Sequence, residues 1–422
     1  MSLRENRDFR LLFAGRSVSL LGDGAFLVAL AWEAYTLSNA PTALSLIGVA
    51  MTVPTVSLLL FGGVVSDRYE RRTVMLLADA LRAVLLLLAG SLAVAGDLGL
   101  WQLIVIVAFY GAAQAFFDPA SDAILPEIVG PDELGRANAL EQVARPLTLR
   151  LIGPALGGVL VGTIGSGAAF MADGISFVVS AATLWLMASS PALRVAASAA
   201  GEGSAVRQVL EGWAYVRRHV WLWGTFASAG IAYLLFMGPA EVLLPFMVKH
   251  ELHGSGFELG LVFGAGGLGA VLCAVTIMRG GLPSSSVPFI YLSWTLATLA
   301  VAGYGLANAI WQLMLASLAF NLLETGGTIV WATLKQRLVP GRLLGRVSSL
   351  DWLISIGLLP VSFALTAPVS AVLGVRTTLI AAGLAGALAT LGGLALPGMR
   401  SSGQAPGPRV SAGVRNGPLP DI

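Results

Sequence analysis

The chain has 422 residues, of which 56% are hydrophobic and only 11% charged, with a net charge of +2 and a mean hydropathy of +0.82. A soluble chain of this length carries about a quarter charged residues, so the composition excludes a water-covered globule and leaves a protein whose outer surface faces lipid. The basic residues are scattered over short turns, which leaves no basic face for nucleic acid.

A membrane-crossing helix needs about 20 mostly apolar residues. Such segments are predicted, in chain order, at 11–36, 42–65, 73–96, 100–118, 138–162, 167–188, 221–247, 257–278, 287–306, 309–331, 348–370 and 376–397. Twelve spans put both termini on one side, and Lys and Arg choose that side. Lys249 and Arg376 are the basic residues of the odd-numbered turns. Arg16, Arg82, Arg145 and Arg150 lie within spans, and the remaining basic residues lie at the termini or in even-numbered turns. A multi-pass cell-membrane protein with both termini cytoplasmic is therefore expected. Arg4, Arg7 and Arg10 precede a first apolar segment of spanning length, and no signal-peptide cleavage pattern follows.

The longest internal gap begins at Pro191, passes through the small-residue run AASAAGEGS, and becomes amphipathic in AVRQVLEGWAYVRRHVW. This reads as a linker leading to an interfacial helix with Trp213 and Tyr215 at the boundary. The predicted organisation is an N-terminal six-helix bundle over 1–190, a cytoplasmic linker over 191–220, a C-terminal six-helix bundle over 221–398, and a disordered cytoplasmic tail over 399–422. An internal repeat supports the division. Leu134-Gly135-Arg136 followed by Leu140-Glu141 recurs half a chain later as Leu344-Gly345-Arg346 followed by Leu350-Asp351. Parallel repeats of six helices are one way in which transporters are built.

The turn after span 2 holds one of the densest charge clusters, Gly63-x-x-x-Asp67-Arg68-x-x-Arg71-Arg72. Membrane anchoring by positive charge explains the arginines but not the aspartate or the glycine. This pattern resembles the loop between the second and third helices of the major facilitator superfamily. The family form has glycine where this chain has Glu70, and the DRYERR variant is similar to that of drug–proton antiporters of the enterobactin-exporter and macrolide-efflux type. The resemblance covers about residues 5–397 and implies an all-α membrane protein of twelve helices in two pseudo-symmetric bundles. It further implies a conformational latch. Asp67 would face the start of span 11, near Arg346 to Ser349, where a helix dipole favours a carboxylate. An arginine of the loop would pair with Asp118 or Asp122 at the cytoplasmic end of span 4.

In span 5, Gly153-Pro154-x-x-Gly157-Gly158 resembles the GPxxGG motif of exporting members. Physically, the proline bends the helix and the glycines admit a close neighbour. Ionisable groups inside spans are costly in lipid and face cavities or one another. Asp79 and Arg82 are three apart on one face and read as a structural pair. Asp23, Glu241 and Glu324 stand in the middle of spans beside glycines and are candidate proton carriers, with Glu33 next. Arg145, Arg150 and Trp32 are candidates for lining a substrate cavity. Gly264-x-Gly266-x-x-Gly269 matches a dinucleotide fingerprint but lies inside an apolar span, where a packing seam explains it. His250 and His253 flank Glu251 with no further ligand near in sequence, and Cys273 is the lone cysteine. No metal and no cofactor are expected.

These readings converge on a transporter rather than an enzyme. The expected function is secondary export of a small amphipathic molecule, such as a drug, siderophore or secondary metabolite, by proton antiport and alternating access. Uptake or uncoupled diffusion is the alternative within transport. A membrane subunit of an ATP-driven system lacks a nucleotide motif in this chain, and a membrane-embedded enzyme lacks a recognisable nucleophile and base. The expected partners are the small-molecule substrate, protons and membrane lipids, with the protein acting as a monomer.

Overall fold

A computed structural model of the chain describes residues 3, 5–188, 205–281, 283, 285–397 and 399. The first part of the predicted linker and the predicted tail beyond Met399 lie outside these residues, whereas Met399, predicted to begin the disordered tail, is buried against Tyr291. The described chain is helical, and twelve helices in it are long and apolar enough to cross a membrane. They are spans 1 (Arg7–Leu37), 2 (Pro41–Leu59, in a helix that continues to Arg68), 3 (Arg71–Ala95), 4 (Leu100–Ile128), 5 (Glu133–Thr163), 6 (Ser166–Leu186), 7 (Val220–Glu251), 8 (Gly256–Gly280), 9 (Ser286–Leu306), 10 (Ile310–Leu338), 11 (Leu343–Leu373) and 12 (Val375–Leu394). The amphipathic helix Ala205–Arg218 precedes span 7. Large apolar side chains such as Leu77, Val94, Trp185 and Leu388 remain exposed on the outside of the bundle, as lipid contact requires.

Local chemistry sets the helix ends. Asn6 caps span 1 by accepting from the Phe9 amide, and its side-chain amide donates to the Ile128 carbonyl, tying the start of span 1 to the end of span 4. Ser255 and Glu258 form a capping box at span 8. Span 3 ends at Gly96 with φ 79°, a left-handed conformation that glycine adopts without penalty.

Packing follows a six-plus-six rule. Spans 1 and 6, 3 and 6, 2 and 4, and 3 and 4 are neighbours, and adding six to each number gives the neighbours of the second half. The same symmetry governs the junction, where span 2 meets span 11 and span 5 meets span 8. The sequence shows a further trace of it. Leu100-Trp101-Gln102-Leu103 recurs as Ile310-Trp311-Gln312-Leu313, and each glutamine accepts a backbone amide just before its helix, from Gly99 and from Asn308. Below, the end of the bundle that carries both termini is called the terminal face, and the opposite end the far face.

Candidate functional site

The two halves close on each other toward the far face. Gly158 of span 5 lies against Gly260 of span 8 so tightly that a Cβ at Gly158 would stand 2.7 Å from the Gly260 Cα. Gly153 and Gly157 pack on Gly24 and Ala25 of span 1. The span 5 motif is thus the seam by which span 5 touches both halves. Beyond it, the Tyr35 hydroxyl donates to the Val242 carbonyl at 2.6 Å. Lys249 crosses back, with Nζ 2.7 Å from the Thr36 hydroxyl and 4.5 Å from the centre of the Trp32 ring. Trp32 thus contributes to this closure. Glu33 is buried beside it and accepts from the Ser166 hydroxyl. The Lys249 cation over the Trp32 face, with its hydrogen bond, contributes about 1 kcal/mol. Lys249→Met should raise labelling of a cysteine introduced at buried Val161 about fivefold with a membrane-impermeant maleimide, in a Cys273→Ser background. Unchanged labelling would remove Lys249 from the closure.

At mid-depth the site is polar. Pro146 lacks the amide that an α-helix needs, and the backbone from Pro146 to Ile152 widens into a π-helix. This bulge pushes the Arg150 carbonyl against Gly267 of span 8, where a Cβ would come within 2.0 Å of the oxygen. It also aims the Arg150 side chain across the junction. The guanidinium lies 3.6 Å from Glu324 and 3.3 Å from the Asn321 side-chain oxygen, both on span 10. Glu241 of span 7 is exposed and within electrostatic reach of Arg150. Two residues predicted separately, Arg150 and Glu324, thus meet between the halves.

Asp23 belongs to a different group, inside the N-terminal half. It accepts a hydrogen bond from the Tyr110 hydroxyl and lines an open-mouthed cavity together with Arg16, Arg82, Gln114, Asp118 and Arg145. Behind it, Asp79 (0% exposed) pairs with Arg82 and accepts from Ser180 at 2.6 Å. The Arg82 guanidinium lies over the rings of Phe117 and Phe177, 4.3 Å from each. Asp173 of span 6 completes the group. The expected structural pair is there, but as the centre of a larger cluster. Sequence reasoning missed this because its members come from spans 1, 3, 4 and 6. The available signal was an excess of acids over bases within the first six spans.

At the terminal face the expected pairing is corrected. Arg71 meets Glu127, not Asp118 or Asp122, and also donates to the Ala123 carbonyl at 3.0 Å. The reason is reach: Glu127 stands in the last turn of span 4, whereas Asp118 lies deeper and faces the cavity, and Asp122 is exposed near Arg16 and Glu141. Arg72 donates to the Leu184 and Trp185 carbonyls at the end of span 6, both at 2.7 Å. Arg68 is exposed. Nothing lies within 4 Å of a Cβ built on Gly63, whereas Gly62 is pressed against the Ala115 carbonyl. Asp67 lies in the last turn of the helix that carries span 2, and Arg346, in its expected neighbourhood, binds Glu211 of the amphipathic helix. The repeated acids brace both halves alike. Glu141 is 3.4 Å from Arg16, which also donates to Ser121, and Asp351 accepts from Lys335 and from the Trp331 indole at 2.9 Å.

Among the described residues no group of three or more His, Cys, Asp or Glu side chains is placed to hold a metal ion. His250 packs instead against the Phe246 and Tyr35 rings. The glycines of span 8 are a seam, with Gly266 on Asn321 and Ser317 and Gly269 on the Leu318 carbonyl. The chain whose two bundles of six are joined through spans 2, 5, 8 and 11 matches in its sequence the profile of the transmembrane secretion effector family over residues 2–415.

The chain belongs to this family of the major facilitator superfamily. It is a membrane transporter and not an enzyme. It is 25% identical over 371 residues to an uncharacterized transporter of the superfamily, YfiS, from Bacillus subtilis, covering 84% of this chain and 85% of that one. It is 28% identical over 366 residues to the enterobactin exporter EntS of Citrobacter koseri, covering 82% of each. The multidrug efflux pump Tap of Mycobacterium tuberculosis is 26% identical over 424 residues, covering 94% of this chain and 95% of the relative. Among solved structures, a bacterial homologue of the iron transporter ferroportin in an inward-facing state superposes with a TM-score of 0.66 over 93% of this chain and 99% of that one, at 17% identity. A POT family transporter gives 0.69 over 92% and 96%, at 14% identity. At these identities the structural likeness concerns the fold.

Proposed function

We propose that this protein is a secondary exporter of small, partly apolar molecules, driven by protons and working by alternating access. The reading rests on one observation above the others, the Arg150–Glu324 pair. It joins the halves at mid-depth, one turn from Gly153-Pro154. Separating the halves requires those charges to find other partners, and a polar group on the substrate supplies one. The direction of transport follows the relatives named as exporters of enterobactin and of drugs. The energy is sufficient, since one proton moved through 100 mV supplies about 2.3 kcal/mol.

In this reading the terminal face is cytoplasmic and the Tyr35–Lys249 closure is external. The Lys/Arg distribution supports that orientation. A cysteine at Ser204, again in a Cys273→Ser background, is expected to resist external labelling in intact cells. Labelling there would reverse the topology. The residues Gly63, Asp67, Arg68, Arg71 and Arg72 form the latch of the cytoplasmic face, engaged when that face closes on span 11. The open space beside Gly63 and the exposed Arg68 fit a latch that is disengaged in this conformation. Asp67→Asn should depress transport far more than substrate affinity in detergent, because the charge biases the conformational equilibrium rather than touching substrate. Equal transport by the variant and the parent would discard the latch.

The reading as a whole is tested in everted vesicles with ethidium as the fluorescent probe. An imposed pH gradient, acid inside, should drive ethidium into the lumen, and Glu324→Gln should abolish that uphill movement. Ethidium movement that is indifferent to the gradient would favour an uncoupled carrier.

A further inference from the structure

Asp173 is 0% exposed, and no cation pairs with it at hydrogen-bond distance among the described residues. One oxygen accepts from the Ser176 hydroxyl at 3.0 Å. The other, Oδ2, is buried with no hydrogen-bond partner. The carboxyl rests on the backbone of span 1 beside Asp23, where a Cβ on Gly22 would stand 2.1 Å from Asp173 Oδ1. Charged groups reach it from the elements packed around it: Asp23 from span 1, and Asp79 and Arg82 from span 3, with the Tyr110 phenol from span 4. Gly153–Thr163 of span 5 brings no ionisable group.

Among the described residues Arg82 is the one cation buried with these acids, and it is already bound to Asp79. A charge on Asp173 would be without a partner, and a buried carboxylate with an unsatisfied oxygen is strongly unfavourable. A carboxylic acid resolves this, because its O–H places the proton on the oxygen that nothing else satisfies. Asp23 gives access, since it lines the cavity that opens past Arg16 and Arg145.

We propose that Asp173 holds the coupling proton, relayed to it by Asp23. A hydronium ion in the cavity gives its proton to the Asp23 carboxylate and leaves as water, and the new Asp23 O–H bond then breaks as the proton passes to Asp173. Asp23 returns to its carboxylate form, accepting from Tyr110, and the cluster gains one positive charge in total. The proposal rests on the proton-driven reading above and assigns its proton to a residue. It also links the proton to movement. Asp173 bears on span 1 at Gly22, and the same helix carries Trp32 and Tyr35 of the far-face closure. Protonated, the carboxyl lets spans 1 and 6 pack as they do here, and losing the proton drives them apart.

Infrared difference spectroscopy of the full-length protein in lipid nanodiscs, in H2O against D2O, reads protonated carboxyls directly and needs no substrate. The parent should show an isotope-sensitive carboxylic-acid band that Asp173→Asn removes and Glu324→Gln retains. A band that persists in Asp173→Asn overturns the proposal, as does one that vanishes in Asp23→Asn but not in Asp173→Asn. Should Asp173→Asn fail to fold, Asp173→Glu keeps the carboxyl and must shift the band, and an unshifted band is equally fatal. Gradient-driven ethidium movement surviving in Asp173→Asn would sink this assignment alone. Its absence in the parent would sink the export reading instead.

Discussion

Arg82→Met is expected to be the most destabilising single change in the protein, at about 3–5 kcal/mol. Methionine keeps much of the bulk between Phe117 and Phe177, so the loss is electrostatic. Asp79, with no exposed surface, would keep only its hydrogen bond from Ser180. The variant should lose its monodisperse peak in detergent at a temperature well below the parent's. Arg136→Met is the control, because that pair with Glu133 is 77% exposed on the arginine side and is worth less than about 1 kcal/mol. If the double change Arg82→Met with Asp79→Asn restores most of the loss, the cost is the uncompensated charge. If it restores none, packing around the guanidinium is the cause.

Gly158→Ala should cripple transport by about tenfold or more while leaving the protein folded. The new methyl would stand 2.7 Å from the backbone of Gly260, in the other half of the molecule. Backbone on both sides leaves no side chain to swing away, and overpacking of this kind costs about 1–3 kcal/mol. That cost falls on the far-face-closed state alone, so it appears as a shifted conformational equilibrium rather than as unfolding. A cysteine at Val242, fully buried under the closure, should become readily labelled. Gly260→Ala should behave alike, since a methyl there meets the Gly158 Cα at 2.5 Å. Normal transport together with silent labelling in both variants would mean that the halves do not pass through this contact.

The spans were legible because lipid imposes a length and a hydropathy on each of them, and all twelve predicted segments coincide with helices. Their ends were less so. Span 4 runs to Ile128 rather than to 118, because Asp118, Pro119, Ser121 and Asp122 depress the local hydropathy while their helix continues past the cavity. The span 5 motif was visible as spacing, but the π-helix before it was not, although Pro146 was the signal for a broken ladder. Arg150 and Glu324 could each be marked as anomalous charges. Their meeting across the halves depends on how two bundles dock, which no local pattern records. Asp173 illustrates the same limit, since its nearest acid lies 150 positions earlier in the chain.

The two halves are alike in shape and unlike in charge. Spans 3 and 6, paired behind the junction, hold Asp79, Arg82 and Asp173, whereas their counterparts 9 and 12 hold no acidic or basic side chain but Arg376 at the far-face end. A transmembrane voltage acts on charge and not on shape. The rear of the first bundle therefore carries groups on which the field can act, while the rear of the second carries one, Arg376, at its far-face end.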